Sequence, residues 1–350
     1  MQPKRSERPQ RLLILDLLEI LRKYSDRKHP LTQKQIREYL PKEFREYDTS
    51  KIRRRETIKD TLQLLKDTGE YPVYCAADVQ EDSEDEAEDK KEILTNLFYQ
   101  HPLDSKELCL LIDGIMFMSG LSGNSRKELV QKLKGLSSVH FSDITKHSDW
   151  EAWGRVENPC LPDTSEILHR AIADGKQVSF QYCHCDMKFK LQPRKNDDGS
   201  VKTYVVSPYQ LVTANGRPYL VCRYGSHQDL SHFRLDRIQH IRLLKDEAVQ
   251  VQGRRLSEYL TQHPNMWGGE AISVTFLCPT YLMNDVADWF GTTANILKHA
   301  DGRMKVIVKV SEASMLHWAL QYADCVEVVK PDSLRKQIAD VLQEALKKYQ

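Results

Sequence analysis

The sequence has no apolar run that approaches the roughly 18 to 20 residues of a membrane-spanning helix. No apolar segment follows the opening MQPKRSERPQR, so the usual pattern of a secretion signal is missing. The eight cysteines show no disulfide-framework spacing, which favours a reducing compartment. We therefore expect a soluble, cytoplasmic protein with no membrane partner.

An excess of charge of one sign is also missing, because 51 Lys and Arg stand against 50 Asp and Glu. This balance hides two opposed regions. Residues 1–75 carry 18 basic against 12 acidic side chains, whereas residues 76–92 carry 2 against 9. The sequence therefore predicts a basic head and an acidic linker, in a chain long enough for two or three domains.

Patterns of catalytic and metal-binding residues are scarce. Cys183-His184-Cys185 is the one metal-like cluster, but strand alternation turns the histidine away from both thiols and no second pair stands at ligand spacing. Ser207 and His232 could act as nucleophile and base, yet no third group or elbow motif accompanies them. We expect no enzyme activity, no metal and no cofactor.

The stretch 204–241 predicts three linked β-strands. Asn215-Gly216 suits a two-residue hairpin, so residues 210–213 should fold back on residues 218–222. Alternation along the second and third strands then gathers polar side chains on one face. These are Tyr219 and Arg223, beside Val221, and then His232, Arg234 and Asp236, opposite Phe233 and Leu235.

Such a face suits an anion, most plausibly phosphate, because the planar fork of arginine donates two parallel hydrogen bonds to it. The alternative is the ordinary solvated outer face of an antiparallel sheet. Alternation alone does not decide between the two.

Three short motifs in this stretch resemble the signature of the WYL domain. They are Ser207-Pro208-Tyr209, Gly216-Arg217-Pro218-Tyr219-Leu220 and His232-Phe233-Arg234-Leu235-Asp236-Arg237-Ile238. Pro218 stands where the family has the tryptophan of its name. The resemblance implies an Sm-like or SH3-type small barrel that senses a nucleotide or oligonucleotide. In bacteria this barrel is commonly fused to a winged helix, and the resemblance implies a tie to phage defence or DNA-damage control. If the barrel curls as the resemblance implies, the ligand-binding residues converge on one pocket: Ser207, Tyr209, Tyr219, Arg223, His232, Arg234 and Arg237.

Residues 1–75 predict three helices and the start of a wing. Leucines at helical spacing over 12–21 indicate a first helix that ends near Tyr24, and Thr32 with Gln35 forms the capping box of a second helix that Pro41 closes. In the third helix Ile58, Leu62 and Leu65 form the buried stripe, and Gly69 is the expected stop. The wing is expected to begin at residues 71–74.

Basic residues crowd the N-terminal half of the third helix. In a helix-turn-helix, that end of the recognition helix meets the major groove of DNA. An ordinary solvated basic face is the alternative, but the run TIKDTLQLLKDTG resembles the third helix of the winged heads joined to WYL domains. The candidate DNA-binding residues are Arg53, Arg54, Arg55, Thr57 and Lys59.

Beyond the acidic run at 81–89, two more helices are predicted. Asp104 with Glu107 should cap the first, whose apolar stripe is Leu108, Leu111, Ile112, Ile115 and Met118, and the second should cover residues 125–136. They resemble the helical connector that contributes to dimerisation in the family. A stripe packed within one chain is equally compatible with the sequence.

The remainder alternates strands and helices. A helix at 163–173 precedes strands at 178–182 and 187–191 and a turn at 196–199. Residues 272–329 then follow the strand-helix-strand-strand-helix-strand order of a ferredoxin-like domain, with an extra helix at 332–349. This tail resembles the C-terminal extension that accompanies WYL domains.

We therefore predict an α+β multidomain protein. The domains are a winged helix (1–80), an acidic linker with a dimerising connector (81–160), a WYL domain (161–248) and a C-terminal extension domain (249–350). The expected function is a homodimeric transcription regulator that binds double-stranded operator DNA and a nucleotide or oligonucleotide effector. An RNA- or single-strand-binding accessory protein that acts through its barrel is the alternative.

Overall fold

The computed structural model describes residues 12–40, 51–76, 96–141, 156–214, 216–225, 230–249, 256–291 and 294–350, with the side chains of 51–54, 256–258 and Asn265 left aside. The chain forms two compact units. Unit 1 comprises Met1–Phe117 with Gly123–Ala152, and unit 2 comprises Met118–Ser122 with Trp153–Gln350. Together they make a mixed α/β multidomain protein.

The described residues of unit 1 begin with three helices, as predicted. They are α1 (Leu13–Tyr24), α2 (Gln33–Tyr39) and α3 (Lys51–Asp67). Thr32 caps α2 through the predicted capping box with Gln35. Ile58, Leu62 and Leu65 of α3 are buried in one cluster with the leucines of α1. Gly69 has a φ of +62°, which suits its expected place just past the end of α3.

A short antiparallel ladder follows α3. It pairs β1 (Val73–Cys75) with β2 (Leu97–Tyr99). The acidic run at 81–89 falls in the chain between these strands and lies outside the described residues, as does Pro41.

Two helices complete the described part of unit 1, α4 (Ser105–Phe117) and α5 (Gly123–Lys134). Asp104 caps α4, because its carboxylate accepts hydrogen bonds from the amides of Lys106 and Glu107, and the amide of Asp104 donates to the side chain of Glu107. The predicted stripe is only partly right. Leu108 and Ile112 are buried and Ile115 is half-buried, but Leu111 is exposed and Met118 lies exposed beyond the helix.

The first part of unit 2 is one helix and a six-stranded antiparallel sheet. The elements are α6 (Leu161–Ala173), β3 (Lys176–Cys185), β4 (Leu191–Pro193), β5 (Thr203–Ala214), β6 (Arg217–Tyr224), β7 (Ser231–Arg234) and β8 (Ile238–Glu247). The strands run in the order β4-β3-β5-β6-β7, and β8 pairs with β3. Within the described residues no ladder joins β7 to β8, so the sheet is open and the closed barrel implied by the resemblance is not found. A three-residue 3-10 turn, Leu235–Arg237, carries the chain from one edge to the other.

The strand predicted at 187–191 is wrong in its first part. The carboxylate of Asp186 accepts the amides of Lys188 and Lys190, which closes a tight turn before β4 begins. Phe189 takes a φ of +59° in this turn, and its side chain is 76% exposed, with Met187 98% exposed. Local side-chain hydrogen bonds therefore override the apolar alternation.

The rest of unit 2 begins with α7 (Leu256–Gln262) and continues as a second sheet. Its elements are β9 (Ala271–Cys278), α8 (Met283–Phe290), β10 (Asn295–Lys298), β11 (Met304–Ser311), α9 (Glu312–Gln321), β12 (Glu327–Lys330) and α10 (Asp332–Leu346). The strand order is β10-β11-β9-β12, with every ladder antiparallel. Fully buried Trp318 and Phe276 lie at the centre of its core.

Candidate functional site

The hairpin of β5 and β6 sets the register of the candidate ligand site. Ala214 pairs with Arg217, so residues 215–216 form a two-residue loop, and Gly216 takes a φ of +66°. Asn215 itself lies outside the described residues.

Three cross-strand pairs place the predicted side chains. Ser207 lies opposite Arg223, Val221 lies opposite His232, and Tyr219 lies opposite Arg234. Directly opposed residues of antiparallel strands share a face. The predicted face therefore exists, but it is extended. Arg223 is four residues from Tyr219 along β6, a separation of about 13 Å between backbone positions.

The centre of this face is covered, so the alternative of a plain solvated face is wrong there. Tyr259 of α7 is 4% exposed and packs with buried Val221 and Leu230. Tyr209 and Val212 pack against the same cluster. The half-buried side chain of Tyr209 therefore takes part in an apolar contact.

His232 is held by the segment that covers the face. Its Nδ1 lies 3.0 Å from the carbonyl oxygen of Met266 and its Nε2 lies 2.8 Å from the hydroxyl of Tyr259. A neutral ring that donates from Nδ1 and accepts at Nε2 satisfies both contacts. Burial, with a smaller contribution from His263, lowers the pKa of His232 to about 4. His232 is therefore uncharged near neutral pH, and both its nitrogens have partners within the protein.

This burial makes stability depend on pH. The pKa of His232 falls from 6.5 to about 4 on folding, so between these values the unfolded chain binds a proton that the folded chain does not. Above pH 6.5 this group does not change the free energy of unfolding with pH. As the pH falls from 6.5 toward 4, the free energy of unfolding decreases by up to about 1.4 kcal/mol per pH unit.

We expect thermal unfolding scans at pH 7.5 and pH 5 to show a larger loss of stability at pH 5 for the wild type than for His232→Gln. His184→Gln, at an exposed position, is the control, and equal losses in wild type and His232→Gln would contradict the assignment.

Arg234 is positioned by a buried carboxylate. Its Nε and Nη2 atoms donate to the two oxygens of Asp236 at 2.9 and 2.5 Å, and the side chains are 18% and 6% exposed. The pair corrects the sequence prediction, because Leu235 and Asp236 belong to the 3-10 turn and not to the strand. Three of the five guanidinium donors remain for other partners.

Arg234 and Arg237 lie near the buried ring of Tyr182. The Tyr182 hydroxyl accepts the amide of Arg234 at 3.2 Å, and burial raises the pKa of Tyr182 while both arginines act against that rise. Arg194 lies over the same ring, 5.6 Å from its centroid. Tyr219 and Arg234, which are paired across β6 and β7, form one end of the face, and Arg237 follows in the 3-10 turn; we call these three residues the Arg234 end.

Ser207 and Arg223 lie at the other end. Ser207 is buried, and its hydroxyl accepts the amide of Val249 at 3.0 Å and lies 3.5 Å from Nε2 of Gln177. Its contacts are structural, and no described contact joins it to His232 as a catalytic pair. Arg223 and Arg237 are half-buried, and neither forms an ion pair with a described residue. Among the described residues the predicted ligand-binding side chains are thus spread along the face, and the single convergent pocket stays a prediction.

In the head, Arg55 and Lys59 lie exposed on α3, one turn apart, while Thr57 is half-buried. They lie away from the buried stripe of Ile58, Leu62 and Leu65. The backbone of Arg53 and Arg54 belongs to the first turn of α3, but their side chains lie outside the description.

The described residues contain no group of three or more His, Cys, Asp or Glu that could hold a metal ion. Cys183 is buried and donates to Oε1 of Gln239 at 3.4 Å, and burial raises the pKa of its thiol. His184 is exposed, as the alternation predicted. None of the described helices is long and apolar enough to cross a membrane.

Comparison with known proteins identifies the two parts of unit 2. Residues 163–243 match the WYL domain and residues 270–346 match the WCX domain. The first sheet of unit 2, with its arginine-containing face, thus belongs to the WYL domain, and the second sheet with its helices belongs to the WCX domain. The chain therefore contains a WYL domain followed by a WCX domain.

Solved structures resemble the chain more distantly. Proteasome accessory factor B/C of Arthrobacter aurescens is 14% identical over 99% of this chain and 51% of its own, with a TM-score of 0.28, so the present chain spans about half of that protein. A CRISPR Cas-related protein is 12% identical over 96% of this chain and 83% of its own, with a TM-score of 0.37. No curated protein matches the chain.

Proposed function

We propose that this protein is a DNA-binding transcription regulator whose WYL domain senses a nucleotide or oligonucleotide. In this proposal α1–α3 with the β1–β2 ladder act as a winged helix on operator DNA. The WCX domain, which follows the WYL domain in the chain, is a ferredoxin-like domain. The observation that carries the sensing role is the Arg234 end of the face. There Asp236 fixes one edge of the Arg234 guanidinium, with Tyr219 opposite and Arg237 nearby.

This arrangement favours a phosphate group. The Asp236 carboxylate fixes the orientation of Arg234, so less side-chain freedom is lost when the remaining donors bind an anion. Arg237 supplies a second guanidinium that, like Arg234, lies near the ring of Tyr182. The ring of Tyr219 is only half-buried and is available to stack on a base.

A matched pair of variants tests this site. Charge-assisted hydrogen bonds contribute roughly 1.5–3 kcal/mol, so Arg237→Ala should weaken binding of a short, labelled, mixed-sequence single-stranded DNA by about tenfold or more. Arg223→Ala removes the same charge at the far end of the face and should change the affinity by less than about threefold. Fluorescence anisotropy measures both. Equal losses would show that the two ends act as one pocket, and no loss in either would remove the face from the sensing role.

We further propose that the regulator is a homodimer. Leu110 is 73% exposed and Leu111 is 46% exposed on α4, and Leu129 of α5 is 39% exposed. Exposed leucines on adjoining helices of a connector suit an interface with a second copy of the chain, because a two-fold axis brings the same patch of each copy together. A dimer also presents two α3 helices to an operator with two half-sites.

The second candidate is a single-strand-binding accessory protein. One observation favours it: the turn before β4 projects Phe189 and Met187 into solvent beside Lys188 and Lys190. An exposed ring between cations suits an unstacked base and its phosphates. Replacement of the head arginines separates the candidates, because a regulator then loses affinity for double-stranded DNA, whereas an accessory that works only through the WYL domain has no such affinity to lose.

A further inference from the structure

Residues 118–122 connect α4 to α5, yet they belong to unit 2 while both helices belong to unit 1. Leu121, in the middle of this loop, is 2% exposed. The loop is therefore packed within unit 2, and its two ends continue directly into Phe117 and Gly123 of the connector helices.

Gly120 packs against the residue that holds Arg234. A Cβ atom built on Gly120 would collide with Cβ of Asp236 and lie 3.3 Å from its Cα. Gly120 also takes a φ of +86°, which residues other than glycine rarely adopt. Only glycine therefore allows this contact between the loop and the 3-10 turn.

Hydrogen bonds fix the loop on both sides of that contact. The carbonyl oxygen of Gly120 accepts the amide of Asn158 at 2.8 Å. The side chain of Asn158 donates to the carbonyl oxygen of Ile238 at 2.8 Å, at the start of β8. The hydroxyl of Ser119 donates to the carbonyl oxygen of Gly216 at 3.0 Å, in the β5–β6 hairpin.

We propose that loop 118–122 is the element that reports ligand binding at the Arg234 end to the connector helices. This inference rests on the proposed sensing role of Arg234. An anion that binds the remaining donors of Arg234 competes with Asp236 for the positive charge of the guanidinium and so weakens the ion pair. The 3-10 turn that carries Asp236 then relaxes, and the surface on which Gly120 packs is lost. The loop is released, and the ends of α4 and α5 that it joins are freed with it.

The amide of Asn158 gives a direct measurement, because its hydrogen bond to Gly120 exists only while the loop is docked. We expect the short single-stranded DNA to accelerate hydrogen exchange of this amide in the full-length wild type by about tenfold, the size of a typical coupling between sites. Gly120→Ala should show the faster exchange without the probe and little further change with it. Ser119→Ala, which removes only the bond to Gly216, should give a smaller change in the same direction.

Gly199→Ala is the matched control. Its φ of +83° is close to that of Gly120, but a Cβ there meets nothing within 4 Å, so it tests backbone strain alone. If the probe fails to bind the wild type, the sensing role itself is wrong. If the probe binds but the exchange of Asn158 is unchanged or slowed, or if Gly199→Ala matches Gly120→Ala, the loop does not report ligand binding.

Discussion

Arg234→Ala is expected to destabilise unit 2 by roughly 3–5 kcal/mol, the usual result of removing one partner from a buried ion pair. Both oxygens of Asp236 accept hydrogen bonds from Arg234, and the Asp236 side chain is 6% exposed. Without the guanidinium this carboxylate is left as a buried, unpaired charge. The measurement is the free energy of unfolding from urea titrations of the full chain.

The double variant Arg234→Ala/Asp236→Ala identifies the cause. It leaves no buried charge, so it should regain much of the loss, because the larger part of the cost is the unpaired carboxylate. Arg223→Ala, at a half-buried position with no described ion pair, should cost less than about 1 kcal/mol. If Arg234→Ala is as mild as Arg223→Ala, the carboxylate is solvated and Asp236 does not position the arginine.

The second large effect is expected in the head. Replacing Arg53, Arg54 and Arg55 with alanine should weaken binding to double-stranded DNA and flatten its salt dependence. Each phosphate contact contributes about 0.9 to the slope of log K against log salt, so the slope should fall by up to about 2.7. Anisotropy titrations at several salt concentrations measure both quantities.

A control with the same change in net charge is available at the end of the chain. Lys336 of α10 is exposed, as are Lys347 and Lys348 just beyond its end, and Lys347 forms an ion pair with Glu344. Their replacement with alanine should leave the slope within the error of the measurement. An unchanged slope in the arginine variant would remove α3 from the DNA-binding role.

Much of the fold follows from local patterns in the sequence. The capping box of Thr32, the cap of Asp104 and the hairpin at 215–216 were predictable because neighbouring residues alone create them. The helices and strands of the tail were predictable from apolar periodicity, since each has one face in a core.

The candidate site was less predictable, because its decisive contacts join residues far apart in the chain. Tyr259 covers Val221 and binds His232, and no spacing rule connects α7 with β7. The contact of Gly120 with Asp236 is equally remote in sequence. One local signal was present, because Arg234 and Asp236 are only two residues apart. In a tight turn this spacing allows an ion pair, but on a regular strand it indicates only that the two side chains share a face.

The measurement that tests the account most directly is footprinting of the DNA fragment that co-purifies with the protein, with and without the short single-stranded DNA. We expect two protected half-sites about 10 base pairs apart, or a multiple of that spacing, as two α3 helices on one operator require. The single-stranded DNA should change operator affinity by a factor in the range of about 5 to 150. An operator bound with the same affinity at every concentration of the single strand, or a protein that co-purifies with no preferred double-stranded fragment, would contradict it.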